Sequence, residues 1–209
     1  MSTSTYLTIA RNGSAGTEVK RSRFIAHVER VATEDEARAV IERVRKQHWD
    51  ARHNCSAFVL GPGGDVRRSN DDGEPSGTAG TPMLEVLRGR EVSDVVAVVT
   101  RYFGGVLLGA GGLVRAYSES VRAALDEVGV LERRLLQLVD VVADHADAGK
   151  LENDLRARDV SVLGVDYAER ATLHVAVPDG ERESLVGVLA ELSGGTASAT
   201  PTGTSWVDA

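Results

Sequence analysis

The sequence predicts an α+β protein of two domains, an N-terminal α/β domain over residues 1–130 and a ferredoxin-like domain over residues 131–209. Two observations support this fold class, and the net charge is distributed unevenly between the two domains. The apolar run at residues 95–99 has the composition of a buried strand and leads through glycines into a helical pattern. Residues 131–209 alternate between strand and helix patterns in the order β-α-β-β-α-β, which is the ferredoxin-like order. The formal net charge of −7 also falls entirely within residues 131–209.

The first half of the N-terminal domain predicts strands around one capped helix. Alternation over residues 17–31 indicates a strand, bent near Lys20. Thr33 and Glu36 form a capping box, and apolar residues recur at helical spacing from position 37 to position 44. Residues 55–60 predict a second strand, Gly61-Pro-Gly-Gly64 a turn, and residues 66–69 a returning strand.

A loop is expected from residue 71 to residue 82, where Pro82 takes the favoured first position of a short helix. Residues 95–100 then form the apolar strand, and residues 113–125 an amphipathic helix that Gly129 ends. The domain boundary falls near residues 130–134. The second domain follows with a strand at 135–143, a helix at 144–159, strands at 160–168 and 171–177, a helix at 179–192, and a final strand.

A glycine-rich segment begins at Arg101, directly after the apolar strand. Its glycines are Gly104, Gly105, Gly109, Gly111 and Gly112. Exposed amides at a helix N-terminus, flanked by Arg101 and Arg115, are suited to binding an anion. The alternative is structural, because glycine also permits positive φ and close strand–helix packing. No Gly-Lys-Ser/Thr follows, so the segment is not a Walker loop, and no acidic partner completes a dinucleotide fingerprint.

An acidic loop precedes the short helix. Its polar residues are Asp71, Asp72, Glu74, Ser76 and Thr78. Three carboxylates in four residues are a possible magnesium site, because that ion prefers oxygen ligands. The alternative is that these short side chains bind the backbone and cap the next helix. Both readings remain open at the level of sequence.

Arg52, His53 and Cys55 lie at the start of a predicted strand. His53 and Cys55 share a face but lie roughly 6–7 Å apart, too far for a direct nucleophile–base contact. We therefore expect Cys55 to be a small buried residue. Arg52 and His53 should point to opposite faces, so that only one of them shares a site with Arg101.

Basic residues recur at Lys20, Arg21 and Arg23, and with Arg52, Arg101 and Arg115 they offer a local positive patch. Residues 1–130 are neutral overall, with 17 basic and 17 acidic residues, and aromatic residues make up 4% of the chain. Both features disfavour recognition of nucleic acid by a broad basic face or by base stacking. The two tryptophans, Trp49 and Trp206, are expected to pack inside.

Composition points to a cytoplasmic protein. The N-terminus lacks the basic and apolar regions of a secretory signal, and no stretch approaches the roughly 20 apolar residues of a membrane span. A single cysteine fits a reducing compartment. No complete set of nucleophile, base and orienting group is visible, so an enzyme is the less favoured class, and no cofactor is expected.

Four blocks carry a family resemblance: Ser22-Arg-Phe-Ile-Ala26, Ala51-Arg-His-Asn-Cys55, residues 71–84, and Arg101-Tyr-Phe-Gly-Gly105 with Leu108-Gly-Ala-Gly-Gly-Leu113. In this order they resemble the IMPACT (YigZ) family. The resemblance implies a ribosomal-protein-like N-terminal α/β domain, a ferredoxin-like second domain as in bacterial members, and a role in the control of translation.

The expected function is therefore that of a translation regulator that binds an anionic ligand, RNA or a ribosome-associated partner. The expected site comprises Arg23, Arg52, His53, Asp71, Asp72, Glu74, Ser76, Thr78, Arg101, Gly104, Gly105, Gly109, Gly111, Gly112 and Arg115. One alternative is a metal-assisted hydrolase or phosphoryl-handling enzyme, with Asp71, Asp72 and Glu74 as ligands and Arg101 as a charge clamp. A general nucleic-acid binder is the other alternative.

Overall fold

The computed structural model describes residues 4–209 of the chain. The coordinates separate into two compact units, the first ending at Arg133 and the second running from Arg134 to Ala209. Both units mix helices with antiparallel strands, so the α+β class is confirmed. No helix among the described residues is both long and apolar enough to cross a membrane.

The first unit is built on a five-stranded sheet with the order β2-β3-β6-β4-β5. Its elements are β1 (Thr5–Ile9), β2 (Gly13–Val19), β3 (Ser22–Arg30), α1 (Glu34–Gln47), β4 (His53–Leu60), β5 (Val66–Asn70), α2 (Gly80–Gly89), β6 (Val95–Tyr102) and α3 (Ala110–Val128). Strand β6 is central and pairs antiparallel with β3 and β4.

Both faces of this sheet are covered, because successive residues of a strand point to opposite sides. On one face, Phe24, Cys55 and Val99 are buried in a core with Met83 of α2 and Tyr117 of α3. On the other face, a smaller core of sheet and α1 residues forms around Val44, Phe58 and Val96. The continuous apolar character of β6 follows from this burial on both sides.

The predicted start of α1 is confirmed. The Thr33 hydroxyl accepts a hydrogen bond from the Glu36 N–H at 3.2 Å. The Glu36 carboxylate in turn accepts one from the Ala32 N–H at 2.7 Å. Two N–H groups at the helix entrance are thereby satisfied, as a capping box requires.

Two local predictions differ from the structure. Residues 17–31 form a hairpin rather than one bent strand, because Lys20 and Arg21 both take positive φ, 46° and 66°, and reverse the chain. Pro82 is the third residue of α2, since that helix begins at Gly80 and Ala79 stands at its N-cap. Strand β1 was not predicted, and it lies outside the first sheet.

The second unit has the predicted ferredoxin-like order. Its elements are β7 (Val130–Ala143), which begins in the first unit, α4 (His145–Arg156), β8 (Ser161–Tyr167), β9 (Ala171–Pro178), α5 (Arg182–Ser193) and β10 (Ser198–Asp208). The strands lie in the order β10-β7-β9-β8. Leu151 and Leu155 of α4 and Leu185 of α5 pack on one face of this sheet against residues such as Leu173.

Candidate functional site

A cleft of about 460 Å³ opens on the first unit where several predicted blocks meet. It lies between the start of β4, the loop before α2, the end of β6 and the start of α3. Its charged and polar lining is Arg52, His53, Glu74 and Arg101, and its apolar lining is Pro75, Phe103, Leu107, Leu108 and Leu113. Backbone from Gly73, Gly109 and Ala110 completes the wall.

The deepest part of the cleft is a buried ion pair. Arg101 Nη1 lies 2.6 Å from Glu74 Oε1, and the two side chains are only 7% and 3% exposed. The Tyr117 hydroxyl donates a second hydrogen bond to the same oxygen at 2.8 Å. The Arg101 guanidinium carbon also lies 5.6 Å from the ring centres of Phe24 and Phe103. The charge of Arg101, expected to serve a ligand, is therefore balanced inside the protein by Glu74.

Cys55 continues this buried network. Its thiol is fully buried, 3.3 Å from the Tyr117 hydroxyl and 3.0 Å from the Asp71 carbonyl oxygen. Burial raises the pKa of Cys55 to about 12 and also raises the pKa of Tyr117 above its usual range. The thiolate needed for nucleophilic attack is thus strongly disfavoured. The prediction that Cys55 is a small buried residue is confirmed.

Asp71 serves the backbone of its own loop. Its carboxylate accepts hydrogen bonds from the N–H groups of Gly77, Ala79 and Gly80, at 2.8, 3.0 and 2.8 Å. Partial burial acts to raise the pKa of Asp71, but these three bonds outweigh it and hold the pKa below its ordinary value. Since α2 begins at Gly80, the carboxylate satisfies N–H groups that the helix leaves free.

The neighbouring acidic and hydroxyl groups are also occupied locally. Asp72 accepts from Arg45 and from the Asn54 N–H, both at 2.7 Å. Thr78 donates to the Pro75 carbonyl at 2.6 Å, while Ser76 is exposed. No group of three or more His, Cys, Asp or Glu residues within residues 4–209 is arranged to hold a metal ion. The geometry therefore favours the hypothesis that the acidic loop binds backbone and caps the next helix over the hypothesis that it binds magnesium.

The N-terminus of α3 is open. Gly109 stands at its N-cap with φ 72°, no side chain caps it, and the first turn has no acidic residue. The first helical hydrogen bond runs from the Leu113 N–H to the Gly109 carbonyl at 3.0 Å. The N–H groups of Ala110, Gly111 and Gly112 consequently have no acceptor within the helix. Gly109 and Ala110, at the positive end of this 19-residue helix, line the cleft.

The five glycines divide between the two hypotheses from the sequence, exposure of the backbone to an anion and close packing of chain segments. A Cβ on Gly104 would lie 2.1 Å from the backbone carbonyl of Arg21, so this glycine permits a close approach of two chain segments. A Cβ on Gly111 would meet nothing within 4 Å. Gly105, Gly109 and Gly111 are exposed, while Gly104 and Gly112 are half-buried, so none of the five is sealed in the interior.

Arg52 and His53 both line the cleft beside Arg101, so the expectation that only one of them would share its site was wrong. Because β4 begins at His53, Arg52 lies before the strand and does not follow the alternation of side chains between its two faces. His53 Nδ1 lies 2.9 Å from the Asp72 carbonyl oxygen. Arg52 is exposed and makes no hydrogen bond or ion pair within the described part of the chain.

The remaining predicted cations lie elsewhere. Arg23 stacks on the ring of Tyr102, with its guanidinium carbon 4.6 Å from the ring centre, and does not line the cleft. Arg115 is exposed on α3, also outside the cleft lining. The structure therefore brings together Arg52, His53, Glu74, Arg101 and Gly109 from the predicted set.

Exposed apolar side chains were the main feature that sequence reasoning missed. Leu107 is 84% exposed and Phe103 45% exposed, and both lie at the mouth of the cleft. The sequence signal that could have indicated these exposed side chains was a short apolar stretch between glycines in a loop. Trp49, expected to pack inside, is 82% exposed, because it follows the last turn of α1 and belongs to no core cluster.

A separate polar cluster lies on the sheet of the second unit. His174 in β9 contacts Asp140 of β7 through Nδ1 at 2.7 Å and Asp166 of β8 through Nε2 at 3.1 Å. These hydrogen bonds, first with Asp166 and then with Asp140, raise the pKa of His174. The three residues form a charged strip across neighbouring strands.

Comparison with known proteins connects both units to one family. The family described as the Impact N-terminal domain matches residues 20–125, and a domain of unknown function (DUF1949) matches residues 141–196. The chain is 46% identical to IMPACT family member YvyE of Bacillus subtilis, over 91% of this chain and 88% of that protein. It is 38% identical to IMPACT family member YigZ of Escherichia coli, over 86% and 89%.

One solved structure matches most of the chain. The crystal structure of a hypothetical protein covers 95% of this chain, and this chain covers 98% of it, with a TM-score of 0.63 and 35% sequence identity. The family match, the two relatives and this structure all span both sequence halves. The chain belongs to the IMPACT family.

Proposed function

We propose that this protein is a cytoplasmic binding protein that regulates translation, and that its cleft holds an anionic group of a ribosome-associated partner or of RNA. The observation that carries the proposal is the open N-terminus of α3, which borders a cleft with the unpaired Arg52 on its lining. The link to translation is what the family resemblance implies, and proteins named IMPACT homolog from Dictyostelium discoideum and Schizosaccharomyces pombe also match this chain.

Electrostatics support an anion at this position. The Glu74–Arg101 pair is neutral as a unit, so it does not repel an incoming negative charge. Arg52 contributes one uncompensated positive charge. The helix end behaves roughly as half a positive charge and favours an anion by about 0.3–1 kcal/mol. Together these groups attract a negative group to the cleft.

The apolar mouth of the cleft supports a macromolecular partner. Leu107 and Phe103 expose large apolar surface beside the charged groups. Exposed apolar patches next to polar groups commonly mark interaction sites in soluble proteins. When a partner covers Leu107, burial of this side chain adds hydrophobic free energy to binding.

No observation favours the enzyme alternative. Asp71, Asp72 and Glu74 are engaged by the backbone, by Arg45 and by Arg101. Cys55 is buried with a raised pKa, which removes the nearest nucleophile from consideration. The role that we propose for the site is therefore recognition.

The test is sedimentation of the purified protein with ribosomes from its own source, at low and at physiological salt. Arg52→Glu reverses the cleft charge without disturbing a buried contact, and Arg115→Glu is its matched control, an exposed arginine outside the cleft. We expect wild type and Arg115→Glu to sediment with ribosomal particles and Arg52→Glu to remain mostly in the supernatant. Equal sedimentation of all three, or none for wild type at low salt, contradicts the proposal.

A further inference from the structure

We infer that the cleft recognises an apolar monoanion, a single carboxylate carried on an aliphatic or aromatic group, and does not recognise a polyanion. This inference rests on the proposed function of the same cleft, specifies its ligand class and excludes RNA as the occupant. It follows from a lining that combines the unpaired Arg52 and the start of α3 with several apolar side chains.

The lining has unused hydrogen-bond donors in two places, at Arg52 and at the start of α3. Arg101 is only 6% exposed, and its Nε is buried without a hydrogen-bond partner. Within residues 4–209 its guanidinium makes one hydrogen bond, to Glu74. The amides at the start of α3 are likewise free of intrahelical acceptors. Because Arg101 Nε is shielded from solvent, the donors available to a bound carboxylate are the exposed Arg52 and the start of α3 at Ala110.

The apolar mouth sets the other half of the ligand. Phe103, Leu107 and Leu108 come from the loop before α3, and Leu113 from its first turn. The cleft volume of about 460 Å³ falls within the range of roughly 300–1,000 Å³ typical of small-ligand pockets. An aliphatic chain or a single ring therefore fits beside a carboxylate, and its burial adds hydrophobic stabilisation.

The charge count argues against a polyanion. Arg52 is the one lining cation that is neither paired nor buried among the residues that the structure describes. A nucleic acid engages several cations along its backbone and stacks its bases on more than one ring. Phe103 is the one aromatic residue in the described lining. One cation and one helix end match one negative group.

Two sources can supply this chemistry, a free small acid and the C-terminal residue of a peptide, since backbone amides capture C-terminal carboxylates. Isothermal titration calorimetry with 4-phenylbutyrate, its alcohol 4-phenylbutanol, inorganic phosphate and a dodecameric single-stranded RNA tests the class. The tripeptide Gly-Gly-Phe and its C-terminal amide test the peptide source. Binding of the carboxylates at least tenfold tighter than the alcohol, the amide and phosphate supports the inference, and the tighter carboxylate identifies the source.

The decisive variant is Gly111→Asp, and its matched control is Gly149→Asp, at an exposed glycine of α4 in the second unit where a side chain also meets open space. A side chain at Gly111 meets open space, and an aspartate in the first turn favours the helix while occupying its free amides. We expect Gly111→Asp to weaken carboxylate binding at least fivefold without lowering Tm, and Gly149→Asp to bind as wild type does. Equal affinity for acid and alcohol, tighter binding of RNA, or unchanged binding by Gly111→Asp overturns the inference. The ribosome sedimentation experiment contains no small acid. Failure of the proposed function and failure of this inference can therefore be distinguished.

Discussion

Arg101 and Glu74 form a buried ion pair, 2.6 Å between Nη1 and Oε1, at the base of the cleft. The two residues come from the end of β6 and from the loop before α2, 27 positions apart in the chain. The pair therefore fixes the acidic loop onto the central strand. Because the Tyr117 hydroxyl binds the same oxygen of Glu74, α3 is joined to the same point.

Removing one charge of this pair is expected to destabilise the first unit strongly. Glu74→Gln leaves the Arg101 guanidinium buried without its counter-charge, which costs about 3–5 kcal/mol of unfolding free energy. Urea unfolding, monitored by far-UV circular dichroism, measures the change in unfolding free energy. The double variant Glu74→Gln/Arg101→Met should recover most of that loss, because it removes both charges together. A loss below about 1 kcal/mol for Glu74→Gln would show that the pair is not needed.

Gly104→Ala tests the close approach of the glycine segment to the β2–β3 turn. The new Cβ would lie 2.1 Å from the Arg21 carbonyl, so backbone must move, and we expect a loss of about 1–3 kcal/mol in unfolding free energy. Gly111→Ala is the matched control, where the Cβ meets nothing and the helix gains roughly 0.5 kcal/mol. Thermal unfolding of both proteins gives the comparison. Equal Tm values for the two variants would be inconsistent with the packing described.

The strip formed by His174, Asp140 and Asp166 predicts a pH dependence in the second unit. Hydrogen bonds with Asp166 and Asp140 raise the pKa of His174 in the folded state. A raised folded pKa stabilises the fold fully below the unfolded value, roughly 6.5, and this stabilisation is lost as pH rises through the folded pKa. NMR titration of the His174 ring should give a pKa above the ordinary value, and Asp166→Asn should lower it. A His174 titration at or below the ordinary value contradicts the prediction.

Divalent metal is expected to leave the protein's stability unchanged. The acidic loop uses its carboxylates on backbone N–H groups, Arg45 and Arg101, so magnesium or manganese finds no free ligand set there. A metal that bound only the folded state would raise Tm, and we expect a shift below about 1 °C at millimolar metal. Differential scanning fluorimetry with and without a chelator measures it. A metal-dependent rise of several degrees would restore the metal-assisted alternative.

Most of the fold was predictable from local pattern. The capping box at Thr33 and Glu36, the apolar run of β6 and the β-α-β-β-α-β order each depend on residues close together in sequence. The errors lie where chain conformation depends on single residues or distant partners. The turn at Lys20 and Arg21 lacks glycine, so its positive φ values left no signal.

The candidate site was predictable in location but not in the role of its charges. The sequence blocks indicated that Arg52, His53 and Arg101 matter, and the structure places all three on one cleft. The pairing of Arg101 with Glu74 depends on tertiary packing, which spacing along the chain does not reveal. The same holds for Leu107, whose exposure is visible only once the loop is placed.

The most direct test of the anion-accepting cleft is an amide NMR titration with 4-phenylbutyrate. Three amide signals at the start of α3, those of Ala110, Gly111 and Gly112, should shift progressively and saturate together, because their N–H groups gain an acceptor. The amides of Gly180 and Gly203, in the second unit, should stay in place. Saturable shifts confined to the α3 start would support the account. Unmoved α3 amides at millimolar acid, with the protein folded, would contradict it.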